Sequence, residues 1–207
     1  MPKAHQQVRK ENLTMITRRD FIKNGTLLIA SLYIPTEVCA QQQSLRDHIK
    51  ENLSQLETIA DKQAGPDYYD PNNTRNPLYI VSNPELQLSP NFKFKEFATT
   101  NGKVQPYARI DEDLVIALQR VRDRIQKPVI ITSGYRSYAR QQELIKQGST
   151  ESAKSRHCSG DGVDITAKGF SPKQLAHSIV DTLGEDIGFG IYKSHVHLDC
   201  RGYKARW

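Results

Sequence analysis

Apolar residues recur along this chain at helical and strand spacings that sketch its elements before any chemistry is considered. Leu45, Ile49, Leu53, Leu56 and Ile59 follow one another at three- and four-residue steps, which predicts a one-sided helix within Ser44–Lys62. Leu114, Val115, Leu118, Val121 and Ile125 do the same across Asp111–Gln126, with acidic residues in the first turn, where the helix dipole favours them. Tyr138–Gln147 reads as a shorter helix stopped by Gly148, and Ser171-Pro172 as the cap and first turn of a helix to Leu183, ended by Gly184. Pro128-Val129-Ile130-Ile131-Thr132 is a compact apolar strand, and Leu78–Val81 a shorter one. Val163-Asp164-Ile165-Thr166 alternates, so Asp164 and Thr166 share a face. Gly188–Tyr192 and His195–Asp199 predict an antiparallel pair joined by Lys193-Ser194, with His195, His197 and Asp199 on one side. Helices and strands mix without regular alternation, so the expected class is α+β, a small antiparallel sheet flanked by helices.

Composition changes this picture mainly at the N-terminus. The formal charge of +6 falls to +3 once residues 1–40, with six basic and three acidic residues, are set aside. That balance gives no basic face for nucleic acid and predicts an ordinary solvated surface. Thr17-Arg18-Arg19-Asp20-Phe21-Ile22-Lys23 resembles a twin-arginine export signal, followed by an apolar run from Gly25 to Ile34 and by Val38-Cys39-Ala40. The run is far short of the roughly 20 residues a membrane span needs, so a cleaved leader is expected rather than a stable anchor, with the cut near Ala40. Export through the twin-arginine machinery would place the mature protein in an oxidising compartment, the periplasm. Prolines and asparagines crowd the stretch from Ala64 to Pro90, which reads as an irregular wrap. The expected organisation is a signal over residues 1–40, a helix and linker over 41–87, and a catalytic domain over 88–207.

Candidate chemistry gathers in two segments. Ser155-Arg156-His157-Cys158-Ser159-Gly160-Asp161-Gly162-Val163-Asp164 and His195-Val196-His197-Leu198-Asp199 offer imidazole and carboxylate groups beside a glycine turn and on a short strand. Such a set can hold one Zn2+ ion by three ligands and leave a position open, an arrangement associated with hydrolysis more than with structural stapling. The residues alone also admit other transition metals. No nucleophile-elbow sequence supports a serine enzyme, and Cys158 lies inside the first segment and Cys200 directly after the second, which disfavours a cysteine nucleophile.

Ser155, His157, Gly160 and Asp164 match the Ser-x-His-x-x-Gly-x-Ala-x-Asp pattern of the D-alanyl-D-alanine carboxypeptidase/murein endopeptidase family of zinc peptidases, with Gly162 where alanine is usual. Ser133-Gly134-Tyr135-Arg136, Leu88-Ser89-Pro90-Asn91-Phe92 and Glu96-Phe97 resemble further blocks of that family, which is grouped with lysostaphin-type enzymes and the Hedgehog domain. The resemblance implies His157, Asp164 and His197 as ligands of one zinc ion. It also implies His195 as the favoured general base, with Asp186 from a neighbouring loop or a His195 that only positions His197 or the substrate as the alternatives. Arg136 is implied as a binder of a substrate carboxylate or developing oxyanion, for which a guanidinium fork is suited. An acidic residue three positions before His197 is absent, because Ser194 stands there. Asp199 is expected to orient an imidazole or cap its strand, and Ser155 to shape the turn around His157. If both histidines meet one metal, Cys158 and Cys200 either approach closely enough for a disulfide or stay as inert thiols. The implied function is a secreted peptidase acting on peptidoglycan stem peptides or crosslinks. A zinc-stabilised, non-catalytic cell-wall-binding module is the alternative.

Overall fold

The computed structural model describes residues 36–71, 76–150 and 152–207. The segment read as a twin-arginine signal lies outside them, and the expected cut after Ala40 falls within the first described helix, α1 (Thr36–Ser54). That helix buries Ile49 and Leu53. It ends sooner than the periodicity predicts: Thr58–Ile59 is instead a strand, β1, paired antiparallel with β2 (Leu78–Ile80). A β-branched pair that finds a neighbouring strand outweighs its helical spacing. β2 in turn pairs with β3 (Tyr107–Arg109), so residues 41–87 share one continuous core with residues 88–207.

The helix over Glu112–Ile125, α2, starts where its acidic turn predicts. The Asp111 side chain accepts the Asp113 N–H as N-cap, and Gln126 closes the far end in the left-handed region. α3 (Tyr138–Lys146) is capped by Ser137. α4 is a single turn, Arg156–Ser159, ended by Gly160 at φ 76°. α5 (Pro172–Leu183) has a reciprocal Ser171/Gln174 capping box and ends at Gly184, as expected.

The central sheet has five strands: β4 (Val129–Ser133), β5 (Gly162–Ala167), β6 (Gly188–Ile191), β7 (Val196–Asp199) and β8 (Ala205–Arg206), in the order β8-β6-β7-β5-β4. All neighbours are antiparallel except β8 and β6, which run parallel. Its inner face buries Val163, Ile165, Val196 and Leu198 against α2 and α5. The outer face carries Asp164 directly opposite His197 in register. A two-residue period thus puts the apolar set inside and the polar set outside on both strands.

Candidate metal centre

His157, Asp164 and His197 converge. One ligand atom from each lies within 4.8 Å of the others. His157 Nε2 is 3.3 Å and His197 Nδ1 3.0 Å from Asp164 Oδ1. Both rings are buried, and they meet edge to face with centroids 4.8 Å apart.

Backbone and second carboxylate decide which nitrogen each ring presents. His157 Nδ1 lies 2.8 Å from the Gly134 carbonyl, which can only accept, so Nδ1 carries the proton and Nε2 faces Asp164. His197 is reversed: its Nε2 faces Asp199 Oδ2 at 3.4 Å and its Nδ1 faces Asp164. Asp199 is itself gripped by Arg201, whose Nε and terminal nitrogen each donate at 2.6 Å. Burial depresses the His157 pKa, the Asp164 carboxylate notwithstanding. Burial also opposes a proton on His197, but hydrogen bonds to Asp164 and Asp199 win and its pKa is raised. For Asp164 and Asp199 burial pulls upward, and it loses to His157 and His197 in the first case and to Arg201 and His197 in the second. Both carboxyls sit well below the usual range.

The Ser133-Gly134-Tyr135-Arg136 segment serves His157 chiefly through its backbone. Gly134 O receives the His157 proton, and Arg136 N–H donates to His157 O at 3.2 Å. A Cβ at Gly134 would lie 2.1 Å from Phe97 O, so no other residue lets this segment approach so closely. Gly162 is explained similarly: a Cβ there would come within 2.7 Å of the Arg156 Cβ and 3.2 Å of His197 Cε1.

A cleft of about 600 Å³ opens over the three clustered side chains, lined also by Arg136, Tyr192, His195 and Trp207. His195 stacks on Tyr192 with centroids 4.6 Å apart and planes at 11°, and its Nε2 stands 3.9 Å from Asp164 Oδ1. Among the described lining residues Asp164 carries the sole side-chain carboxylate, and His195 is the imidazole outside the His157–Asp164–His197 cluster. Arg136 is largely buried; its Nη1 donates to the Gln141 Oε1 at 2.8 Å and its Nε meets no protein acceptor. Gln141 in turn donates to Ser152 O at 2.7 Å, tying the cleft's loop to the guanidinium.

Ser155 acts through its backbone: its carbonyl accepts the Cys158 N–H, and its side chain does not cap α4. Cys158 and Cys200 are free thiols, the second of the two expected outcomes. Cys158 faces the Ser137 carbonyl, and burial pushes its pKa up to about 12. Cys200 lies among carboxylates that include Asp111 and Asp161, and burial raises its pKa further. Sequence reasoning missed Gln141, Tyr192, Arg201 and Trp207, whose roles depend on neighbours distant along the chain.

A crystal structure of the L-Ala D-Glu endopeptidase ChiX from Serratia marcescens is similar at 25% identity, over 44% of this chain and 79% of that one, with a TM-score of 0.37. No curated protein matches the sequence. A family model described as peptidase M15 matches residues 90–199, more than half of the chain and a span that includes His157, Asp164 and His197. This chain belongs to the M15 family of peptidases.

Proposed function

We propose that the protein is an exported, zinc-dependent peptidase that hydrolyses peptide bonds in peptidoglycan stem peptides or crosslinks. The observation that carries this reading is the convergence of His157, Asp164 and His197 at the floor of a cleft that also presents His195 and Arg136. Two imidazoles and one carboxylate fit zinc with an open position. His157 Nε2, Asp164 Oδ1 and His197 Nδ1 are the atoms that would hold it, because Gly134 and Asp199 occupy the opposite nitrogens.

When bound, zinc supplies Lewis acidity toward the scissile carbonyl and lowers the pKa of a coordinated water. The chain's own groups do the rest. His195, free of the ligand set, takes a proton from the attacking water at its Nε2 and returns one to the departing amine. Arg136 offers guanidinium donors, including the buried Nε, to a substrate carboxylate or to the oxygen on which charge develops. Its charge is fixed by chemistry and its position by Gln141.

The substrate class is supported by the Arg136, Lys154, Arg156 and Arg201 side chains that line the cleft, which suit an acidic peptide, together with the export signal read at the N-terminus. Periplasmic residence and passage through the twin-arginine machinery belong to the same proposal. No described helix is long and apolar enough to cross a membrane. The test is mass spectrometry of muropeptides from sacculi digested with the mature, zinc-loaded protein. Shortened or uncrosslinked stems are expected, with none after His157→Ala. His195→Ala should keep its zinc and lose turnover. Wall binding without any cleavage by zinc-loaded wild-type protein would favour the binding module instead.

A further inference from the structure

The family match ends at Asp199, and the residues beyond it fold back onto the site. β6 has glycine at 188 and 190, directly across from Asp199 and His197 on β7. A Cβ at Gly188 would stand 2.5 Å from Arg201 Nε and from both Asp199 carboxylate oxygens; one at Gly190 would stand 2.3 Å from Trp207 Nε1. The two bare positions form a recess, and Arg201 and Trp207 fill it. The Trp207 backbone is pinned there: its carbonyl accepts Ile191 N–H at 3.1 Å, and its N–H donates to Phe189 O at 3.4 Å. The Arg201 guanidinium lies 5.0 Å from the indole centroid and is itself fixed on Asp199.

From this seat the indole reaches both members of the His-x-His pair. Its centroid is 5.5 Å from that of His197. Its Nε1–H donates to the Tyr192 hydroxyl at 3.0 Å, and the Tyr192 ring is the surface on which His195 stacks. Trp207 is 52% exposed, so burial of apolar area does not account for its place beside a polar cleft.

We propose that Trp207 is a positioning residue: a wedge that holds His197 toward Asp164 and, through Tyr192, sets the plane of His195. The proposal rests on the reading of His157, Asp164 and His197 as metal ligands, and it assigns a role to residues that the family match does not cover.

Trp207 is the chain's only tryptophan, so its emission reports on this contact without any mutation. Zinc titrated into the metal-free, unmutated chain is expected to change that emission, with the end-point at one ion per chain, and His157→Ala is expected to abolish the change. Emission that ignores zinc binding overturns the wedge. Trp207→Leu and Gly190→Ala, assayed by competition with a chromophoric chelator, are each expected to raise the zinc dissociation constant about 10- to 100-fold, as loss of an orienting partner does. Because Gly190→Ala acts by displacing the same indole, the double variant should bind no more weakly than Trp207→Leu alone. Tyr192→Phe, which removes only the hydroxyl acceptor, should keep zinc affinity and lower kcat with KM unchanged. Unchanged affinity in Trp207→Leu, or additive losses in the double variant, contradicts the proposal. A chain whose emission follows zinc but which cleaves no wall peptide keeps the wedge and loses the proposed function; one that takes up no zinc loses both.

Discussion

His157 and His197 face the same carboxylate, yet the chain holds them by opposite means. His157 is oriented by a backbone carbonyl, that of Gly134, and burial depresses its pKa. His197 is oriented by a charged side chain, Asp199, and its pKa is raised despite its burial. A carbonyl fixes an imidazole with little charge and stays in place under most substitutions. A carboxylate makes its imidazole more basic and can be altered by one mutation. The centre therefore has a rigid, readily neutral side and a polarised, adjustable side.

Removing either ring should have the largest effect. His157→Ala and His197→Ala are both expected to abolish hydrolysis and stoichiometric zinc uptake, measured by metal analysis after dialysis, because two remaining ligands hold zinc poorly. The next effect separates the two sides. Asp199→Asn should weaken zinc binding by about 10- to 100-fold while the chain still folds. Gly134→Ala should instead lower thermal stability, by about 1–3 kcal/mol, because its Cβ must displace the Phe97 backbone. A zinc loss in Gly134→Ala without a stability loss would break the distinction.

Proton titration sharpens the comparison. In the metal-free chain the neutral form of His157 is the favoured one, so its contribution weakens as pH falls below the ordinary histidine value of about 6.5. His197 runs the other way: its protonated form adds stability fully below about 6.5, and that is lost as pH rises through the raised folded value. Nitrogen-detected NMR of the imidazoles should place the two titrations on opposite sides of 6.5. Both rings titrating together would remove the contrast. The smallest effect concerns the cysteines: denatured, unreduced mature protein should show two reactive thiols per chain, and none would mean that Cys158 and Cys200 had bonded.

The convergence of His157, Asp164 and His197 was legible in the sequence because Asp164 and His197 sit on strongly patterned strands. The alternation in Val163–Thr166 and His195–Asp199 fixes which side chains share the outer face, and antiparallel pairing brings Asp164 opposite His197. The helix over Ser44–Lys62 was over-extended because periodicity cannot see that Thr58 and Ile59 have β2 to pair with. Gln141, Tyr192, Arg201 and Trp207 gave no such signal. Each acts through a contact set by tertiary packing. A hint existed only for the last two, in the Gly188 and Gly190 spacing opposite the acidic and imidazole residues of β7. The roles of Gly134 and Ser155 are carried by carbonyl groups, which residue identity does not announce.

The central claim is that His157, Asp164 and His197 bind one zinc ion. Zinc K-edge X-ray absorption on the loaded mature protein addresses it directly. The expected spectrum has nitrogen and oxygen neighbours near 2.0–2.1 Å, imidazole scattering from two histidines and no sulfur shell. A sulfur shell near 2.3 Å, or the spectrum of a fully hydrated ion, would contradict the account.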